Sequence, residues 1–219
     1  MTAVGGTVKR RAYDNAGRQA RSRLTRQHIL DAARTLMTEH GYRATKISAI
    51  AQASGVHVDT IYELVGRKTT VLRELIEQAL SGTDRTVPAE DRPYVAAIRA
   101  EPDPVRKIAI YAAATRAMLA RLAPLFIALR DAAGTEPEAR QLWREFSDRR
   151  AANMRLFVQD IADAGGLRPG LSIDDAADTV WATNSPEIYG LLTEERRWSP
   201  EQYELWLTDT WSRLLLPPS

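Results

Sequence analysis

The chain has 219 residues, of which 44% are hydrophobic and 26% charged, the composition of an ordinary globular protein. It contains no cysteine, which excludes disulfides, thiol catalysis and thiolate metal sites, and its three histidines (His28, His40, His57) stand apart without ligand spacing, so neither a metal nor a cofactor is expected. The net charge of +2 hides an asymmetry: residues 1–68 carry 12 Lys/Arg against 5 Asp/Glu, and residues 69–219 carry 18 against 23. A basic third on an acidic remainder suits a protein whose one end meets a polyanion, although a solvated basic tail inflates the same count. No run approaches the roughly 18 consecutive apolar residues of a membrane span. The first thirty residues also lack the apolar core of a secretory signal, so a cytoplasmic protein without membrane contact is expected.

Residues 1–23 are polar and basic without apolar period and read as a flexible arm. Helical spacing then begins: Ile29, Ala33, Leu36, Met37 and His40 recur on one face, and Gly41 is the stop. Thr45 is the expected N-cap of a short second helix with Ile47, Ile50 and Ala51 inward, broken at Ser54-Gly55. A third short helix runs from about His57 to Val65, and a longer one starts near Lys68 on Val71, Leu72, Leu75, Ile76 and Ala79. Gly82, Pro88, Pro93 and Pro102 among charges make residues 81–103 the best candidate for a junction. Beyond it, Asp103-Pro104 opens a helix toward Leu122, Ala123-Pro124 restarts one through Arg130, and Thr135 opens the longest, ending at Gly165-Gly166. Capping boxes at Ser172–Asp175 and Ser199–Gln202 start two more. The expected fold is all-α, with about nine helices.

Three short helices with a tight turn between the second and third satisfy a helix-turn-helix, in which the third enters the major groove; a generic helical hairpin shows the same spacing. Ile50 and Val56 would hold the two helices together, and Gly55 supplies the turn conformation closed to larger residues. No nucleophile, acid–base pair or phosphate loop has workable spacing, so an enzyme is not expected.

From Arg26 to Leu75 the chain resembles the DNA-binding domain of the tetracycline-repressor (TetR) family, through Ile29-Leu30, Ala32-Ala33, Gly41-Tyr42, Thr45, Ile50-Ala51, Gly55-Val56, Thr60-Ile61-Tyr62, Lys68 and Leu72. The resemblance implies a basic arm (1–23), a helix-turn-helix domain (24–68) and an effector-binding and dimerisation domain (69–219). It further implies a repressor that binds a palindromic double-stranded DNA operator as a homodimer and is released by a small molecule. A dimeric DNA-binding protein without an effector is the alternative. Thr45 and Lys46 are then expected at a phosphate, as are the hydroxyls of Thr60 and Tyr62 and the ammonium of Lys68. Base reading falls to Ser48, His57, Val58 and Asp59. Arg10, Arg11, Arg18, Arg21 and Arg23 either follow the duplex or form a solvated tail. The chain departs from the family at His57, Leu64, Val65 and Arg67, where a cap, a polar residue, Phe and a second cap are commoner.

All five tryptophans lie in the C-terminal part, where aromatic residues on helices serve a core or a pocket. Asn184 on an apolar face beside Pro186, read as a mid-helix kink, suits a cavity lining or a satisfied buried amide. The candidate effector residues are Tyr111, Met118, Trp143, Phe146, Arg150 and Met154, together with Trp181 and Asn184. The last two helices offer a dimer face of Ile188, Leu192, Tyr203 and Trp206, continued by Leu207, Trp211 and Leu214. The resemblance implies that they pair with their twins as a four-helix bundle.

Overall fold

The structure, a computed structural model, describes residues 7–218, with side chains from residue 17 onward. The described residues form helices and no strand. Two compact units divide between Leu72 and Arg73, so the proline-rich stretch 81–103 falls inside the second unit instead of separating the two.

The first unit opens with α1 (Thr7–Ala44), followed by α2 (Ile47–Ser54), α3 (Val58–Leu64) and the first turn of α4 (Lys68–Ser81). Helix α1 takes up residues 7–23, expected as a flexible arm. That stretch is rich in Arg and Ala, holds no proline, and has Gly17 as its one glycine. Residues 1–6, and the side chains of Arg10 and Arg11, lie outside the described part. Gly41 breaks the helical path at φ 79°, as its sequence position suggests. Ile29, Leu30, Ala33 and Met37 are fully buried one and two turns apart on α1 and form the core with Ile50 and Ile61.

The second unit continues α4 and adds a 3₁₀ turn (Ala89–Asp91) and the helices α5 (Pro93–Ala100), α6 (Pro104–Ala133), α7 (Pro137–Asp163) and α8 (Ile173–Thr183). A short α9 (Pro186–Gly190), a π turn (Leu191–Glu195) and α10 (Pro200–Leu215) complete it. Asp103, Ser172 and Ser199 each accept a backbone N–H at the helix starts read from the sequence. Helix α6 is continuous through Pro124, where a restart was expected. It exceeds α7 in length, and α7 itself starts at Pro137 and not at Thr135. An interior proline costs about 3 kcal/mol, and the flanking Leu122, Ala123, Leu125, Phe126 and Leu129 are all buried, which offsets that cost. By length and composition α6 is also apolar enough to cross a bilayer, but half of its apolar window is buried inside the unit, where it packs on α5, α7, α9 and α10.

Pro186 does not kink a helix. Helix α8 ends with Asn184 at its C-cap, and the Ser185 hydroxyl accepts the Ile188 N–H to start α9, with Pro186 at the first position.

Candidate nucleic-acid interface and effector chamber

In the first unit the α2–α3 turn is set by Gly55, whose φ of 69° lets its N–H donate to the α2 carbonyls of Ala51 and Gln52. Buried Ile50, Ala51, Ile61 and Val65 turn the opposite faces outward. Lys46, Ser48, His57, Asp59 and Tyr62 are exposed, and Val58 and Thr60 half-exposed. The structure therefore leaves most of the side chains expected at DNA accessible, with Arg23 exposed on α1. Gln52, exposed on α2 one turn beyond Ser48, escaped the sequence reading.

Two of the expected phosphate contacts are placed differently. Thr45 is buried, and its hydroxyl donates to the carbonyls of Gly41 at 2.9 Å and Leu36 at 3.1 Å, so it ties down the end of α1. The N-cap position of α2 is Lys46, which makes no capping bond. Thr45 follows a glycine that has left the helix, and its hydroxyl reaches the carbonyls freed there before it reaches α2. The Lys68 ammonium donates to the Tyr42 carbonyl at 3.1 Å and sits 4.0 Å from the centre of the Tyr42 ring. Its charge remains beside α3, but part of its bonding capacity serves the fold.

In the second unit one face of α7 carries Phe146, Arg149, Arg150, Asn153, Met154 and Phe157, spaced three and four apart. With α6 and α8 this face encloses a chamber of about 50 Å³. Its wall includes Tyr111, Met118, Phe146, Arg150, Met154 and Asn184 from the expected set, and Arg92, Arg149, Asn153 and Phe126 besides. Trp143 and Trp181 do not line it. Trp143 packs on the far side of Phe126, 4.9 Å between ring centres, where Arg130 covers it. Trp181 instead supports the Arg150 guanidinium, 4.6 Å above its ring. Arg92 and Arg149 escaped the sequence reading. The α7 spacing carried a signal for Arg149, whereas Arg92 lies in a loop distant in sequence.

The chemistry of the chamber is set by donors. Arg150 donates to the Trp181 carbonyl and, at 2.7 Å, to Asn184 Oδ1. The Asn184 amide and the Tyr111 hydroxyl both donate to Met154 Sδ at 3.1 Å, a thioether and hence a weak acceptor. Burial pushes the Tyr111 and Tyr203 hydroxyls well above the ordinary tyrosine range and lowers the Arg150 guanidinium. Beside the chamber, α4 is tied to α7 by two ion pairs. Arg73 grips Glu145 with both amino groups, and Glu77 accepts from Arg149 Nη1 at 2.8 Å. The Arg73 bond holds Glu145 below the usual carboxylate range.

A chamber of about 390 Å³ opens alongside and shares Tyr94, Tyr111 and Asn153 with the first. Val95, Ile98, Leu156 and Phe157 make its apolar wall, and Glu90, Arg99, Asp160 and Asp163 its charged part.

The expected dimer residues divide into two groups. Tyr203, Leu207 and Trp211 are fully buried within their own chain and build its core, because α10 packs that face on α6 and α8. Ile188, Leu192 and Trp206 stay half-exposed and Leu214 exposed. Leu191 and Leu205, absent from the expected set, are 51% and 70% exposed.

A helical unit that turns a short third helix outward, joined to a larger helical unit with an internal chamber, defines a helix-turn-helix DNA-binding regulator. Residues 29–75 match the family model of bacterial regulatory proteins, tetR family. The fold is shared with NalD, the secondary repressor of the MexAB-OprM multidrug efflux pump of Pseudomonas aeruginosa, at 22% identity and a TM-score of 0.69 over 91% of this chain and 100% of that one. It is shared with the regulator FadR of Bacillus subtilis, solved with stearoyl-CoA, at 19% identity and 0.68 over 85% and 97%. SmeT, solved with triclosan, matches at 18% identity and 0.68 over 90% and 93%. No curated protein sequence matches the chain. Residues 29–75 thus match a tetR-family regulatory domain, and the chain shares the fold of these regulators, which supports a DNA-binding regulator.

Proposed function

We propose that this regulator is a cytoplasmic repressor that binds a palindromic operator as a homodimer and leaves it when a small molecule occupies the second unit. One short recognition helix reads too few bases for a specific site, and two-fold pairing doubles the site. Exposed Leu191, Leu205 and Leu214 near the end of the chain support a paired surface. The observation that carries effector control is the buried donor-rich chamber, whose polar groups exceed what a packed helical core needs. Three proteins of the same fold point the same way: NalD is described as a repressor, and SmeT and FadR were solved with small molecules. For release, the ligand must bind the DNA-free state more tightly than the DNA-bound state.

Binding-site selection from random duplexes, followed by a release screen against the selected duplex, tests the whole reading. The expected result is a palindromic site bound by two chains and vacated in the presence of some small molecule. A site bound specifically but released by no compound would favour the alternative, a dimeric DNA-binding protein without an effector.

A further inference from the structure

The smaller chamber has three arginines in its wall, Arg92, Arg149 and Arg150, and no Asp or Glu. Among the described residues Arg150 has no carboxylate within ion-pair distance; its hydrogen bonds go to a backbone carbonyl and to Asn184. The opposite charge that it feels through space is Glu187, whose carboxylate already holds Arg130. Arg149 gives one amino group to Glu77, and its other amino group, Nη2, is buried with no partner. Two further donors, the Tyr111 hydroxyl and the Asn184 amide, rest on Met154 sulfur, which an oxygen anion would outcompete. A half-buried cation without a counter-ion, ringed by donors on weak acceptors, is a site short of an anion.

Resting on the effector reading above, we propose that the effector is an amphipathic carboxylate whose carboxyl group pairs with Arg150 and Arg149 in the smaller chamber. Its apolar body lies past Tyr94 and Tyr111 along Val95, Ile98, Leu156 and Phe157. The orientation follows from charge. The larger chamber carries Glu90, Asp160 and Asp163 against Arg99 alone, an acidic excess that disfavours a carboxylate, whereas the charged residues of the smaller are all cations. The bound carboxylate also competes with Glu77 for Arg149. It thereby loosens one of the two ion pairs between α7 and α4, the helix whose first turn belongs to the DNA-binding unit.

The test is calorimetric titration of the full-length protein with matched probes of six to twelve carbons: linear and phenylalkyl carboxylates, and the alcohols and amines of the same skeletons. At least one carboxylate should bind more tightly than its alcohol and amine by about 10- to 100-fold, the worth of a charge-assisted hydrogen bond. Arg150→Gln should abolish that preference. Asn184→Asp, which places a carboxylate 2.7 Å from Arg150 without changing volume, should do the same while keeping or raising the melting temperature, so the prediction survives a misfolded Arg150 variant. Glu77→Gln should tighten carboxylate binding severalfold by freeing Arg149. If no carboxylate outbinds its alcohol, or if Asn184→Asp leaves the preference intact, the anion assignment is overturned. Release of operator by an alcohol or amine would overturn it while leaving effector control standing. Failure of every compound to bind or release would overturn both.

Discussion

Trp211 donates its indole N–H to the Thr183 hydroxyl at 2.7 Å, which pins α10 to the end of α8 inside a single chain. The ring is fully buried and stacks on Tyr111 at 5.5 Å. Trp211→Ala is expected to cost about 3–5 kcal/mol of stability, and Trp211→Phe about 1–2 kcal/mol through the lost hydrogen bond and altered packing. Urea unfolding gives both values. Sedimentation of the Phe variant should match that of the wild type, as befits a core residue.

The proposed homodimer rests instead on the leucines that stay outside. Leu205→Glu or Leu214→Glu should yield monomers at micromolar concentration in sedimentation velocity, with far-UV circular dichroism unchanged and specific DNA binding lost. A wild-type chain that sediments as a monomer and occupies its site singly would rule out the symmetric arrangement.

On the proposed DNA surface, phosphate and base contacts separate by their salt response. Lys46→Ala should weaken binding to all duplexes alike and reduce the magnitude of the log-affinity against log-salt slope by about 0.9. Changes at Val58 or Asp59 should shift preference at particular base pairs by about 1–3 kcal/mol and leave the slope alone. Selection from random duplexes with each variant distinguishes the two patterns, and a uniform loss from Val58→Ala would remove it from the reading set.

Thr45 provides the contrast. Thr45→Val keeps the volume but removes the hydroxyl's bonds to the Gly41 and Leu36 carbonyls, with an expected cost of about 1–2 kcal/mol in stability. Its affinity for DNA should equal that of the wild type once binding is measured well below the melting temperature. A uniform loss of affinity on all duplexes under those conditions would instead return Thr45 to the phosphate backbone.

Sequence alone determined the features that depend on spacing along the chain. The apolar stripe of α1, the glycine stops at Gly41 and Gly55, and the serine caps at Ser172 and Ser199 are local, because a helix is built from contacts three and four residues apart. The outward turn of α3 was legible for the same reason: Ile61 must face in, so Asp59 and Tyr62 face elsewhere, while Val58, three residues before Ile61, stays half-exposed at the edge of that face. What surrounds a side chain from other helices was not legible. Whether α6 ends at Pro124 was decided by the neighbours burying Leu122 and Phe126, and whether Trp211 faces a partner or its own core was decided by where α8 and α6 lie. The arginine-walled chamber shows the limit most clearly. Arg150 was visible as a charge on α7, but its lack of a counter-ion depends on side chains from α6 and α8 and on Arg92 in a loop. Only the tertiary fold brings those within reach of one another.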